Sequence, residues 1–257
     1  MRIATGQYES LAGGVEANVA TAVGAVAAAT GARVLVMPEL FLTGYSMPPT
    51  VIDVDDDRLT PLDEAATSAG MLVLIGAALP GPAERPTISI LAVGGGVRRV
   101  YDKQHLCGEE QHHFAAGESG VVLEIDDWRL GLSVCYDGCF PEHARAAADA
   151  GAEVYVAPIA YFAGSDHRRN IYYAARALDN GIYSVTSGLA GRCAGVEFAG
   201  GSMIYDPEAR PVARVDAGTY GVAASTIDKA ELTRIRSAHP MHAERRQLGN
   251  VNLVSLD

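Results

Sequence analysis

Basic runs, paired cysteines and strongly apolar spans are all missing from this chain of 257 residues. Acidic side chains number 31 against 20 basic ones, a formal net charge of −11. That balance repels a polyanion and excludes nucleic acid as a partner class. Uncharged stretches such as Ala17–Ala32 are Ala-rich and interrupted by Asn18, Thr21 and Thr30. They fall short of the roughly 20 strongly apolar residues of a membrane span. The start, Met1-Arg2-Ile3-Ala4, enters a strand-like pattern without a leader's basic region, apolar stretch and cleavage site. Four cysteines (Cys107, Cys135, Cys139 and Cys193) form no CxxC pair, and they are too few for a disulfide framework in a chain this long. Reduced thiols in a cytoplasmic protein are the expectation. No Gly-x-Ser-x-Gly elbow is present, so a serine hydrolase is excluded. No Lys-Ser/Thr follows Gly94-Gly95-Gly96, which therefore reads as a hairpin rather than a phosphate cradle. The adjacent His112 and His113 diverge and lack a third ligand at a useful spacing, so neither a metal nor a cofactor is expected.

With 49% hydrophobic and 20% charged residues the composition is that of an ordinary globular domain. Strand-like runs alternate with Ala-rich helical ones. Arg33–Met37, Met71–Ala77, Arg129–Val134, Glu153–Ala157 and Ile182–Ser187 read as buried strands, as do Gly201–Tyr205, Pro211–Val215 and Val222–Ile227. Thr87–Val93 and Val97–Tyr101 flank the triple glycine as a hairpin. Helices are expected over Glu16–Thr30, Pro141–Ala150 and Asn170–Asn180. Strands that are apolar on both faces suit sheets covered by helices on one side and by another sheet on the other. After about Lys229 the sequence turns polar and charged, which reads as a C-terminal arm over 229–257 that needs a partner for order. The expectation is one α/β domain over 1–257 with this arm.

Three strand ends carry ionisable residues: Met37-Pro38-Glu39-Leu40, Val100-Tyr101-Asp102-Lys103 and Ser133-Val134-Cys135-Tyr136-Asp137. Each alone is bland, a surface Glu, a surface Lys and a buried Cys. In layered α/β folds, however, strand ends are where distant segments converge. A Glu, a Lys and a Cys meeting there would supply a base, a cation and a nucleophile.

These motifs, in this order, resemble the Glu-Lys-Cys triad of the nitrilase superfamily of carbon–nitrogen hydrolases. Leu42-Thr43-Gly44-Tyr45 extends the first match. Lys103-Gln104-His105-Leu106 with Phe114-Ala115-Ala116-Gly117 extends the second, and Cys135 through Glu142 with Arg145 the third. Ala175–Gly181 and Gly200-Gly201-Ser202 resemble two later signatures. The resemblance covers roughly 1–228 and implies a four-layer αββα sandwich that pairs through helices into homodimers or larger homo-oligomers. It implies catalysis by Glu39, Lys103 and Cys135, a second glutamate, and a thioester intermediate. Glu110 lies seven residues before Gly117, the usual spacing, and is preferred over Glu109. Lys103 and the Tyr136 backbone N–H would form the oxyanion hole, while Lys103 and a helix N-terminus near Pro141 would favour the Cys135 thiolate. Asp137 would buttress the elbow through backbone hydrogen bonds. Tyr45, Tyr161 and Phe162 are candidate substrate contacts. Arg168 and Arg169 are either carboxylate contacts or a solvated pair. Ser187-Gly188-Leu189 replaces a usual Asn and is expected to alter the pocket floor. Tyr136-Asp137, where nitrile-cleaving members carry Trp-Glu, implies hydrolysis of a small linear amide. The alternatives are N-carbamoyl amides, then nitriles, then a scaffold without catalysis.

Overall fold

Strands of this chain are apolar on both faces because each sheet is covered on both sides. In the computed structural model, which describes residues 1–246 and 249–255, the elements run in the order β1 (Arg2–Gln7), α1 (Val15–Ala28), β2 (Val34–Val36), α2 (Thr60–Ser68), β3 (Leu72–Leu79), β4 (Thr87–Val93) and β5 (Val97–Asp102). Then follow α3 (Glu110–His113), β6 (Val121–Ile125), β7 (Trp128–Leu132), α4 (Pro141–Asp149), β8 (Val154–Ile159), α5 (Asp166–Asn180) and β9 (Tyr183–Gly188). The chain closes with β10 (Ala190–Cys193), β11 (Val196–Ala199), β12 (Met203–Tyr205), β13 (Pro211–Arg214), β14 (Gly221–Thr226), α6 (Lys229–Ala238) and α7 (Met241–Glu244).

One six-stranded sheet has the order β14-β1-β2-β3-β4-β5, the other β13-β12-β9-β8-β7-β6. In each, the central three strands are parallel and the flanking ones antiparallel. The period-2 alternation of side chains sorts residues between layers. Ile3, Val34, Val36 and Leu74 pack against Leu130, Leu132, Val154, Val156 and Val185 between the sheets. Their neighbours Ala4, Leu35, Val73 and Ile75 face the other way, onto Val15, Val19 and Ala22 of α1 and Leu62 and Ala66 of α2. Tyr155, Ala157 and Ile159 face outward onto Ala144 of α4 and Tyr173 and Ala177 of α5. The result is the expected αββα sandwich in a single domain.

Several boundaries differ from the sequence reading. Helix α5 begins one turn earlier, at Asp166, and stops where Gly181 takes a left-handed conformation (φ 57°). Helix α2, the hairpin β10–β11 and strand β6 lacked a strong pattern and are additions. The first part of the expected arm forms helix α6, Lys229–Ala238, packed on the domain. Asp228 caps α6 by accepting the Ala230 N–H, Leu232 and Ile235 are buried, and Arg236 donates to Gly181 O and Ala152 O. Two apolar residues spaced i, i+3 thus anchor a segment whose remaining side chains are polar. Val251 and Leu253 project almost fully exposed, while residues 247, 248, 256 and 257 of the expected arm lie outside the described residues. No described helix is long and apolar enough to cross a membrane.

Candidate active site

The three expected residues sit just past parallel or hairpin strands. Met37 N still bonds Leu74 O on β3 (2.8 Å), and Gly76 N bonds Pro38 O (3.1 Å), so Glu39 emerges from a segment pinned to the sheet. Leu40 then turns through a left-handed conformation (φ 50°). Lys103 follows β5, with its N–H on Ile88 O (2.8 Å) and its carbonyl on Gly117 N (2.8 Å). Cys135 follows β7 and opens a 3-10 turn, Cys135–Cys139, that leads into α4. It too is left-handed (φ 43°), a conformation costly for a residue with a Cβ.

The fold brings these side chains together. Lys103 Nζ donates to Glu39 Oε1 at 2.7 Å and to Glu110 Oε1 and Oε2 at 2.8 and 2.7 Å. Lys103 and Glu39 are wholly buried, Glu110 nearly so. Glu109 is exposed. Glu110 also accepts from Tyr45 Oη (2.7 Å) and Cys107 N (2.8 Å). The Cys135 thiol acts on the Glu39 carboxylate, yet Glu39 Oε2 is buried without a formed hydrogen bond. One acceptor position beside the sulfur therefore stays unspent.

Burial governs the protonation states. It raises the Glu39 carboxyl to about 7, against the lowering influence of Lys103. Lys103 ends well above its ordinary value: desolvation opposes its charge, but Glu39 and Glu110 outweigh that. The expected thiolate is not the resting form. Burial first, then the Glu39 charge, push the Cys135 thiol well up, and neither Lys103 nor the Ala160 N–H compensates. Helix α4 starts only at Pro141, and the residue heads a short 3-10 turn instead.

Asp137 behaves as a buttress. Its carboxylate accepts from Val134 N (2.9 Å), Tyr101 Oη (2.7 Å) and His105 N (2.9 Å). Tyr101 continues to His143 (3.0 Å), and His143 to Tyr155 (2.8 Å). On the opposite side of the elbow, Arg176 donates to Gly138 O and Cys139 O.

A cleft of about 380 Å³ opens above Cys135. Tyr45, Tyr161 and Phe162 all line it, together with Tyr136, Tyr172 and Arg168. Tyr45 meets Phe162 edge-on at 6.0 Å. The two arginines separate: Arg168 reaches the cleft, while Arg169 is buried on Gly200 O (3.0 Å) and away from it. Ser187-Gly188-Leu189 is no part of the cleft either, since Ser187 is tied to Gly6 O at 2.6 Å between the sheets. All four thiols are free. Cys107 and Cys139 reach the cleft, and buried Cys193 accepts from Tyr45 N. Among the described residues no group of three or more His, Cys, Asp or Glu is arranged to hold a metal.

Sequence reasoning passed over Tyr45's bond to Glu110, and over Gly76, Gly138 and Tyr173, whose roles arise only from contacts distant in sequence. One signal was available and unused. The chain contains just two lysines, Lys103 and Lys229, so a lysine closing a strand was conspicuous from the start.

The carbon–nitrogen hydrolase family profile matches residues 2–237. The chain is 28% identical over 215 residues to the omega-amidase YafV of Escherichia coli K12, covering 82% of this chain and 83% of that one. It is 28% identical over 227 residues to a nitrilase of Pyrococcus abyssi, covering 84% and 86%. The amidase from Nesterenkonia sp. AN1 superposes with a TM-score of 0.81 at 29% identity, over 95% of this chain and 100% of that one. One structure of a mutant of that amidase carries the acetamide moiety of fluoroacetamide covalently added at its active-site cysteine. The chain therefore belongs to the carbon–nitrogen hydrolase family, within the nitrilase superfamily.

Proposed function

We propose that the protein is a cofactor-free amidase that cleaves the C–N bond of small linear amides through a thioester on Cys135. The observation that carries this reading is the Lys103 ammonium, fully buried between Glu39 and Glu110 at the floor of the cleft that holds Cys135. A buried charge of this kind is maintained only by tight pairing. It sits where negative charge would grow on a substrate oxygen. The amidase relatives, one with its active-site cysteine covalently modified, support the same reading.

The steps follow from the groups present. As the Cys135 sulfur attacks the amide carbon, its proton passes to Glu39, and the carbonyl π pair moves onto oxygen. Lys103 Nζ and the Tyr136 N–H receive that oxygen. Tyr136 stands in the first turn after Cys135, where a backbone N–H has no intrahelical acceptor. Collapse of the tetrahedral centre breaks the C–N bond, and Glu39 returns the proton to the departing amine. Glu39 then deprotonates a water that attacks the thioester and releases the acid and the thiol. Each oxyanion donor is worth about 3 kcal/mol of barrier.

Arg168 is the one charged side chain of the cleft without an ion-pair partner among the described residues. Amides bearing a carboxylate at the far end therefore suit this cleft better than neutral ones. Ile171 and Leu178 lie exposed on α5, which supports pairing of two copies through that helix.

Ammonia release across a panel of small amides tests the activity. Cys135→Ala is expected to abolish release while leaving the melting temperature within a few degrees. A Cys135→Ala protein that still turned over near the normal rate would remove the thioester. Incubation with a nitrile and its matching amide separates the nitrilase alternative, since the amide is expected to be much the faster substrate.

A further inference from the structure

Tyr173 lies in α5, outside the three motifs, and is wholly buried. Its hydroxyl donates to the carbonyl oxygen of Cys135 at 2.7 Å. Three residues past that cysteine, Gly138 occupies a position whose backbone does not demand glycine, because its φ is not left-handed. The demand comes from the tyrosine. A Cβ on Gly138 would lie 2.6–2.7 Å from Cε1, Cζ and Oη of Tyr173, closer than any unstrained contact. Gly138 and Tyr173 are thus shaped to each other, and the outcome is one hydrogen bond to one carbonyl.

That carbonyl belongs to the peptide unit joining Cys135 to Tyr136. A trans peptide is planar, so its C=O and N–H point in opposite directions. Gripping the oxygen from the α5 side fixes where the Tyr136 N–H aims, on the side away from α5. We infer that Tyr173 is the positioning residue of the oxyanion hole: through the Cys135 carbonyl it aims the Tyr136 N–H at the substrate oxygen. This rests on the thioester reading above. Arg176, one helical turn further along α5, holds Gly138 O at 2.9 Å and Cys139 O at 3.3 Å. Those peptides follow the one that carries the Tyr136 N–H, so Arg176 shapes the turn without setting that donor. Asp137 holds the elbow through Val134 N, ahead of it. Among the side chains of the described residues, Tyr173 alone hydrogen-bonds that peptide, and it does so at a residue whose left-handed conformation has an incentive to relax.

The test compares wild type with Tyr173→Phe by three measurements. The first is steady-state hydrolysis of a small amide. The second is inhibition by the matching aldehyde. The thiol adds across its C=O, forming a C–S bond and sending the proton to oxygen, which places a tetrahedral centre in the oxyanion hole. The third is the rate of Cys135 alkylation by iodoacetamide, where sulfur displaces iodide and no charge develops on the carbonyl oxygen. The expectation is a fall in kcat of roughly 10- to 100-fold with KM little changed. The aldehyde inhibition constant should rise by a comparable factor, while alkylation stays within about twofold. Gly138→Ala, which drives the ring away, is expected to reproduce this selective pattern. Normal kcat and aldehyde affinity in Tyr173→Phe would overturn the inference. So would an equal loss of hydrolysis and alkylation with a lowered melting temperature, which is the signature of a merely structural role. If wild type neither hydrolyses amides nor binds the aldehyde, the thioester reading itself falls and this inference with it.

Discussion

Gly76→Ala tests how tightly the proposed base, Glu39, is held by the sheet behind it. Gly76 lies inside β3, and a Cβ there would sit 2.4 Å from Leu40 N, 2.5 Å from Pro38 O and 2.7 Å from Glu39 Cα. All three are backbone atoms of the segment that presents Glu39, so no side-chain rotation relieves the contact. Ordinary packing requires about 3.5 Å, and the segment must therefore retreat by about 1 Å. Two hydrogen bonds tie it to Gly76 itself, Gly76 N to Pro38 O at 3.1 Å and Leu42 N to Gly76 O at 3.0 Å. Weakening both costs about 2 kcal/mol at about 1 kcal/mol each, and overpacking adds about 1–3 kcal/mol. The catalytic cost is worked separately. Glu39 Oε1 lies 2.7 Å from Lys103 Nζ, so a shift of about 1 Å breaks that bond and moves the base from the sulfur, a loss of about 100-fold. The assay is kcat/KM for amide hydrolysis beside thermal unfolding. A Gly76→Ala protein within about threefold of wild-type rate and with an unchanged melting temperature would refute this account of how Glu39 is placed.

Four further outcomes are expected. Because burial raises Glu39 to about 7 and the base must be ionised to accept a proton, kcat/KM should rise with pH through about 7; an activity flat from pH 5 to 8 would count against Glu39 as base. The same raised value means that the protonated carboxyl favours the fold. This contribution is complete below the unfolded value of 4.5 and fades as pH rises through about 7, so Glu39→Gln should be inactive yet lose less stability than wild type over that range. Arg168→Ala should raise KM about 10-fold or more for an amide bearing a distal carboxylate and barely alter a neutral one, as read from paired substrate titrations. Asp137→Asn replaces an acceptor of Val134, Tyr101 and His105 bonds with a group that donates on one side, and about 2–4 kcal/mol of stability should disappear in denaturant unfolding.

The layered architecture was legible because alternation and length carry it. Val34-Leu35-Val36 and Val154-Tyr155-Val156 are apolar at every position, and only a strand covered on both faces asks for that. Glu39, Lys103 and Cys135 were legible for a related reason: each follows such a run directly, where a polar residue marks the strand's exit. What holds them was not legible. Gly76, Gly138 and Tyr173 are an ordinary glycine in a strand, a glycine after an elbow and a tyrosine in a helix until the chain closes on itself. The thiolate expectation failed on the same ground. Proximity to Lys103 could be guessed from motif order, but desolvation is a property of the assembled interior, and it dominates at Cys135. The docking of α6 was not legible because Leu232 and Ile235 are only two apolar residues among charged ones, too sparse a stripe to signal burial.

A protonated thiol is what a buried cluster of this composition requires. Lys103 contributes one positive charge, and Glu39 and Glu110 contribute two negative ones when both are ionised, all of them away from water. A thiolate would add a third negative charge to a site with a single cation, and burial answers by raising both Cys135 and Glu39. On the proposed mechanism this is useful. Moving a proton from sulfur to Glu39 as the carbon is attacked cancels the Glu39 charge, and one negative charge appears in its place on the substrate oxygen, beside Lys103, so the total for the site is unchanged. Lys103 has three N–H bonds. One serves Glu39 and one suffices for Glu110 by bridging its two oxygens, so a third can turn to that oxygen without abandoning either carboxylate. The proton that Glu39 takes from the sulfur is the one it returns to the departing amine. The same burial that makes Cys135 a weak acid therefore makes Glu39 strong enough as a base to take the proton, and both consequences trace to two sheets closing over one lysine.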